Sequence, residues 1–299
     1  MSLVQSLDHV VVLVRDLDGA AADYRTLFAR DPSWRGSHAA LGTANVLFRL
    51  SNTYLELLAP SGSAGISGLL GAWLDERGEG PLGFAFGTQD ADLCAEGLRK
   101  QGFAANQPSE GENRESTSGA LRRWRHVMLP PSATRGLLVF AVQHRSPPAA
   151  LPLAGFTGDP RAAALGLDHL VVQTDDLEAA RELYGGGFGI RLALDRSFGA
   201  RDTRILFFRV GGATLEVAGR PGPPPTLSET ADRVWGLAWT VADVGAAQRR
   251  LAAAGFDVSE VRPGHKTGTR VCTVRGPTHG VETLLIEPAQ RAEDHAATT

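Results

Sequence analysis

Apolar residues along this chain fall into short runs whose period switches between that of a strand and that of a helix, and one order of runs recurs. Residues 7–14 form a continuous, largely β-branched apolar run, which predicts a buried strand. Asp16 or Asp18 can cap a helix by accepting from its first free amides, and the alanine-rich segment to Phe28 continues it. A weak strand at 36–40, a stronger one at 44–50, a turn at 51–53 and a strand at 54–59 complete a β-α-β-β-β unit. A second unit follows, with a connecting helix at 67–77, a strand at 82–88, a helix at 90–100, a polar loop at 106–119 and strands at 122–129 and 137–144. A third has a strand from Leu167, a helix at 177–184 and strands near 190–196, 203–210 and 213–218. The Pro-rich stretch 219–225 leads to a fourth, with a strand at 237–241, a helix at 243–254 and strands at 270–274 and 281–286.

The first and third units are spelled alike. Leu7-Asp8-His9-Val10-Val11 returns as Leu167-Asp168-His169-Leu170-Val171. His9 precedes Asp16 by the interval that separates His169 from Asp176 (16 − 9 and 176 − 169). Tyr24 and Tyr184 follow their histidines equally (24 − 9 and 184 − 169), as do Glu56 and Glu216 (56 − 9 and 216 − 169). The second and fourth units carry Gly83 and Gly236 at the histidine position, and Gly102-Phe103 is echoed by Gly255-Phe256. Four βαβββ units thus run in the pattern A-B-A′-B′. One unit leaves an open sheet with an uncovered apolar face, and two packed together can bury it. The expected fold is mixed α+β: two paired-unit domains at 1–145 and 161–290, a Pro/Ala/Gly-rich linker at 146–160 and a disordered tail at 291–299.

Composition narrows the partners. The chain has 299 residues, 43% hydrophobic and 21% charged, with a net charge of −3. That is a globular composition without the basic excess that nucleic acid demands. No apolar run approaches the roughly 20 residues that span a bilayer, and the N-terminus lacks the pattern of a signal peptide. Cys94 and Cys272 stand in no paired spacing, so a reduced, cytoplasmic protein is expected, with the two thiols in the helix and strand core.

The pattern resembles the vicinal oxygen chelate superfamily, in particular its glyoxalase-like members. The residues that carry the resemblance are Leu7-Asp8-His9-Val10-Val11, Gly42-Thr43-Ala44-Asn45, Tyr54-Leu55-Glu56-Leu57-Leu58-Ala59-Pro60 and Pro277-Thr278-His279-Gly280-Val281. It implies cup-shaped mixed sheets with metal ligands on the first and last strands of a unit, here His9, Glu56, His169 and Glu216. Imidazole and carboxylate suit one divalent Zn, Ni, Fe or Mn. Gly83 and Gly236 depart from the family's pattern, since glycine cannot ligate through a side chain. Phe140 and Leu284 stand near the partners' glutamate positions. A third donor could come from Glu282, two residues before Leu284 on the same strand face, or from Gln143 or His144 in the first domain.

Two functional classes remain open at this level. One is a metal-dependent lyase or isomerase of glyoxalase type acting on a small oxygenated substrate, with Glu56 or Glu216 as ligand and base. The other is a metal-free protein that binds or sequesters a small molecule, as drug-resistance relatives do. An extradiol-type dioxygenase ranks lower, because Gly236 replaces one of its histidines. Trp124 and Trp239 are expected as stacking walls, Trp235 as another, and Arg123 and Arg125 of the basic strand as contacts to an anionic substrate. The loop His265 to Arg270 could close as a lid. A small-molecule ligand and a second copy of the chain are the expected partners, with neither nucleic acid nor membrane.

Overall fold

The computed structural model describes residues 2–222 and 231–289. The expected end of the Pro-rich stretch and the expected disordered tail lie outside them. Strands β1 (Ser6–Leu13), β2 (Trp34–His38), β3 (Thr43–Arg49) and β4 (Tyr54–Pro60) enclose helix α1 (Leu17–Phe28) in sequence. Helix α2 (Ser67–Arg77) then leads to β5 (Gly80–Gly87), α3 (Ala91–Lys100), β6 (Ser109–Glu115), β7 (Leu121–Met128) and β8 (Leu138–His144). These eight strands close a barrel in the order β1-β4-β3-β2-β6-β7-β8-β5. The second half has β9 (Gly166–Gln173), α4 (Leu177–Arg181), β10 (Arg191–Phe198), β11 (Thr203–Val210), β12 (Ala213–Gly219), β13 (Arg233–Thr240), α5 (Val244–Ala253), β14 (Asp257–Val258), β15 (Arg262–Pro263), β16 (Arg270–Gly276) and β17 (Glu282–Glu287). Its sheet runs β10-β11-β12-β9-β13-β17-β16-β14, with β15 on β16, and stays open.

Local chemistry explains the starts of the helices. Asp16, Asp90, Asp176 and Asp243 each accept from backbone amides of the first turn. The third unit's helix departs from the expected 177–184: after Arg181 it widens into a π-helical segment, Glu182–Gly187, whose Gly185-Gly186-Gly187 gives the backbone that freedom. The expected loop at 106–119 instead holds β6. It pairs with β7 and, through Gly36↔Glu115 and Ser37↔Arg114, with β2, and so closes the barrel.

The two domains are interleaved through aromatic side chains. Phe28 meets Trp239 edge to face at 4.8 Å, and Phe86 meets Phe188 at 4.9 Å. Two left-handed turns reciprocate across this interface. Arg135 (φ 52°), just before β8, bonds Asp232 at 2.9 Å and also Asp175 of the second domain. His279 (φ 52°), just before β17, places its two ring nitrogens 2.8 Å from Glu79 and 3.0 Å from Asp23 of the first. Asp232 is 5% exposed, and burial holds its carboxyl above the usual range despite Arg135. Arg135→Ala would leave that carboxylate without its guanidinium, an expected loss of about 2 kcal/mol. Urea unfolding should show a lower midpoint at unchanged slope; an unmoved midpoint would mean that the clamp contributes nothing.

The linker is not slack. Arg49 donates to the Pro148 and Leu151 carbonyls, and Arg30 to those of Ala154 and Ala164. Leu151, 4% exposed, packs with Trp34, Leu47 and Tyr54 at one end of the barrel. Cys94 and Cys272 are both buried, and burial pushes each thiol up to about 11.

Candidate functional site

Strand alternation turns His9 of β1 and Glu56 of β4 into the first barrel, while Val10, Val12, Leu55 and Leu57 face the helix-side core. His9 Nε2 lies 3.6 Å from Glu56 Oε2, close enough to share a ligand and too long for a hydrogen bond. His9 Nδ1 sits 2.7 Å from Asp8, whose other oxygen receives His144 Nε2 at 2.8 Å. Burial alone would raise the Asp8 carboxyl, but the two imidazoles overcome it and hold it far below the usual range.

Beyond Glu56 the polar chain continues. Asn45 donates to Glu56 at 2.8 Å, and Asn113 of β6 donates to Asn45 at 3.0 Å and to His38 Nε2 at 2.9 Å. His38 Nε2 is therefore an acceptor, which leaves Nδ1–H to donate to Thr43 Oγ1 at 3.2 Å. That neutral ring agrees with burial lowering its pKa. Tyr54 stacks on His9 at 4.5 Å and Phe140 meets it edge-on at 5.5 Å, so the pair is sealed and His9 is only 4% exposed. Burial, and then the charge of Asp8, raise the Tyr54 hydroxyl well above its ordinary pKa.

The second pair, His169 of β9 and Glu216 of β12, comes together too, with Nδ1 to Oε1 at 4.0 Å, and is more open: the side chains are 19% and 20% exposed. His169 Nδ1 lies 2.7 Å from Asp168. Burial opposes its charged form, yet the Asp168 bond and Glu216 together raise its pKa, while burial raises that of Glu216.

The remaining expected residues divide. Trp124 points into the barrel, edge-on to His38 at 5.9 Å. Arg123 and Arg125 are corrected: they alternate to the outer face, where Arg123 pairs with Glu112 and Arg125 takes Asp92 in a two-pronged bond. Trp239 is also corrected, being wholly buried in the interdomain core with no surface for a ligand. Glu282 is exposed and level with Gly236 and Val171, whereas the residue level with His169 across Ala238 is Leu284. It therefore stands one step too far along the strand. Gln143 turns to the start of α3, and His144 to Asp8 rather than to the His9–Glu56 pair. Trp235 is 46% exposed on β13.

A divalent ion of the family's kind does not fit this donor set. Among the described residues no three His, Cys, Asp or Glu side chains are grouped to hold one, and three protein ligands are the usual minimum. The glycines explain why. A Cβ on Gly83 would lie 1.9 Å from the Leu138 carbonyl oxygen, and one on Gly236 2.8 Å from that of Glu282. Backbone occupies the space from which the partner ligands would project.

A cavity of about 390 Å³ opens beside this network at the linker end of the barrel. Asp8, Arg49, Tyr54, Arg122, His144 and Leu151 are among its lining residues. The sequence pointed to Arg123 and Arg125 of the same strand and not to Arg122, and Asp8 was passed over, although an aspartate precedes both repeated histidines.

Residues 7–184 match the family model described as glyoxalase-like domain, and residues 166–283 match that of the glyoxalase/bleomycin resistance protein/dioxygenase superfamily. With more than half the chain matched, and this fold, the chain belongs to the glyoxalase-like proteins of the vicinal oxygen chelate superfamily. Similar solved structures include a triple mutant of 4-hydroxymandelate synthase from Streptomyces coelicolor, 17% identical, covering 97% of this chain and 95% of that one at a TM-score of 0.63. A hypothetical protein from Staphylococcus aureus is 11% identical, covering 94% and 99% at 0.63. These two likenesses show the fold alone. A variant of methylmalonyl-CoA epimerase from Streptomyces coelicolor is 26% identical over 48% of this chain and 99% of that one, at 0.39. No curated protein matches. Among the described residues no helix is long and apolar enough to cross a membrane.

Proposed function

We propose that this protein binds a small molecule at the linker end of its first barrel without a resident metal, as a ligand-binding rather than a metal-catalytic member of the superfamily. The observation that carries the reading is the donor count: one histidine and one glutamate per cup, with backbone packed where partner ligands would stand. The His144–Asp8–His9 network then serves as a rigid, polar floor to the cavity, and Tyr54 separates its ligand from His9. Residues 1–145 and 161–290 act as the two units, and the linker at 146–160 supplies one wall.

A second reading, a divalent-metal lyase or isomerase, is favoured by the exposure of His169 and Glu216 in the open sheet. Metal analysis separates the two. Protein purified without a chelating tag is expected to carry well under one equivalent of transition metal, and Glu216→Ala and Glu56→Ala should leave that content unchanged. Near-stoichiometric metal lost in the Glu216 variant alone would overturn the first reading in favour of the second.

A further inference from the structure

Arg122 is the most unusual charged residue in the described chain. It lies on β7 between Leu121 and the outward Arg123, and alternation sends it inward. It is only 5% exposed, and arginine is almost never so deeply buried unless paired. Yet no carboxylate among the described residues lies within the 4.0 Å of an ion pair. Its guanidinium carbon sits 5.3 Å from the Trp34 ring centre and 5.6 Å from that of Tyr54. Aromatic faces compensate part of a buried cation's charge, and the Tyr54 hydroxyl is a near polar neighbour. The remaining surface of Arg122 lines the cavity.

Both oxygens of Asp8 are engaged by His9 and His144, and Arg49 is positioned at the rim by the bonds of its Nη1 to two linker carbonyls. Arg122 is the buried, planar, positively charged fork of this cavity, with the Tyr54 hydroxyl beside it and no carboxylate of the described residues in ion-pair reach.

We infer that the cavity binds a small organic monocarboxylate, whose two oxygens pair with the Arg122 guanidinium and whose body lies toward Tyr54 and Leu151. This rests on the ligand-binding reading above and gives its ligand class. A guanidinium matches a carboxylate in two parallel hydrogen bonds. The planar Arg122 fork matches the two oxygens of one carboxylate, whereas a tetrahedral phosphate dianion would be repelled twice as strongly by the neighbouring Asp8 carboxylate. The apolar end formed by Tyr54 and Leu151 favours a ring or short chain behind the carboxylate.

The test uses the full chain with benzoate, benzamide and inorganic phosphate, reading the thermal midpoint and the tryptophan emission, to which Trp34 under Arg122 contributes. Benzoate is expected to raise the midpoint of the wild type, since a ligand that binds only the folded state stabilises it. Benzamide and phosphate should bind about tenfold more weakly or worse, the usual worth of a charge-assisted pair. Arg122→Gln should abolish the benzoate shift while its own midpoint stays level or rises, because an unpaired buried charge has been removed; Arg122→Lys should keep only part of it. Loss of the midpoint in ligand-free Arg122→Gln would mark the residue as structural and overturn the inference. Equal shifts by benzoate and benzamide, or equal binding of phosphate, would overturn it while leaving the cavity as a binding site. No shift by any probe would overturn the ligand-binding reading along with it.

Discussion

Gly83→Ala is expected to lower the thermal midpoint by roughly 6–12 °C, the equivalent of about 3 kcal/mol for a chain of this size. The new methyl group would meet the Leu138 carbonyl oxygen at 1.9 Å and the Leu138 carbonyl carbon at 2.7 Å. Gly83 and Leu138 are register partners in the parallel β5–β8 pair, and on its other side Gly83 is paired with Val11 of β1. Backbone on both flanks cannot swing aside as a flexible side chain would, so the strands must part. Two comparisons isolate this cause. Gly236→Ala, with its first contact at 2.8 Å, should cost less. Gly71→Ala in α2 meets nothing within 4 Å and should be neutral or stabilising by up to about 1 kcal/mol, the ordinary helix preference of alanine. Equal midpoints for the Gly83 and Gly71 variants would show that β5 and β8 are not locked together, and would remove the steric ground for a missing partner ligand.

That same glycine marks the limit of what the chain's spelling conveys. Equal spacing from His9 to Glu56 and from His169 to Glu216 brought each pair to one point, because β1 lies beside β4 and β9 beside β12 in parallel register. The paired-unit fold was legible for the same reason. Strand β6 was not: of its residues only Asn113 is buried, so the period of two that announces a half-buried strand never appears. The faces of β7 were ambiguous in another way. In Arg122-Arg123-Trp124-Arg125 alternation separates the residues into two sets, but only the packing of Val127 into the helix-side core fixes which set is inward. The choice of Arg123 and Arg125 over Arg122 took the wrong set. Trp239 failed likewise, since a tryptophan on a strand beside a cup reads the same whether it faces ligand or Phe28.

The polar floor of the cavity makes the other large effect. Asp8→Asn is expected to lose roughly 3 kcal/mol at neutral pH, the scale for breaking a buried charge network by removing one partner. His9 and His144 both now meet an acceptor oxygen, at 2.7 and 2.8 Å, and an amide would keep one of these while turning a donor NH2 to the other imidazole. The pH dependence identifies the cause. The native Asp8 carboxyl lies far below the ordinary value because the two imidazole bonds outweigh burial, while an unfolded aspartate titrates near about 3.9. Between those values the unfolded state binds more protons, so stability rises with pH across that window. The contribution of Asp8 is thus fully present above about pH 5 and declines progressively as the pH falls toward the depressed native value. Urea midpoints measured from neutral to acid pH should show the wild type and Asp8→Asn far apart at pH 7 and converging as the pH falls. Asp168→Asn is the internal control: its carboxyl is also held low, by His169 against an opposing burial effect, but its side chain is 42% exposed and bonds one imidazole, so its curve should depart less from the wild type. Parallel curves for wild type and Asp8→Asn across the whole range would show that Asp8 contributes packing and no charge.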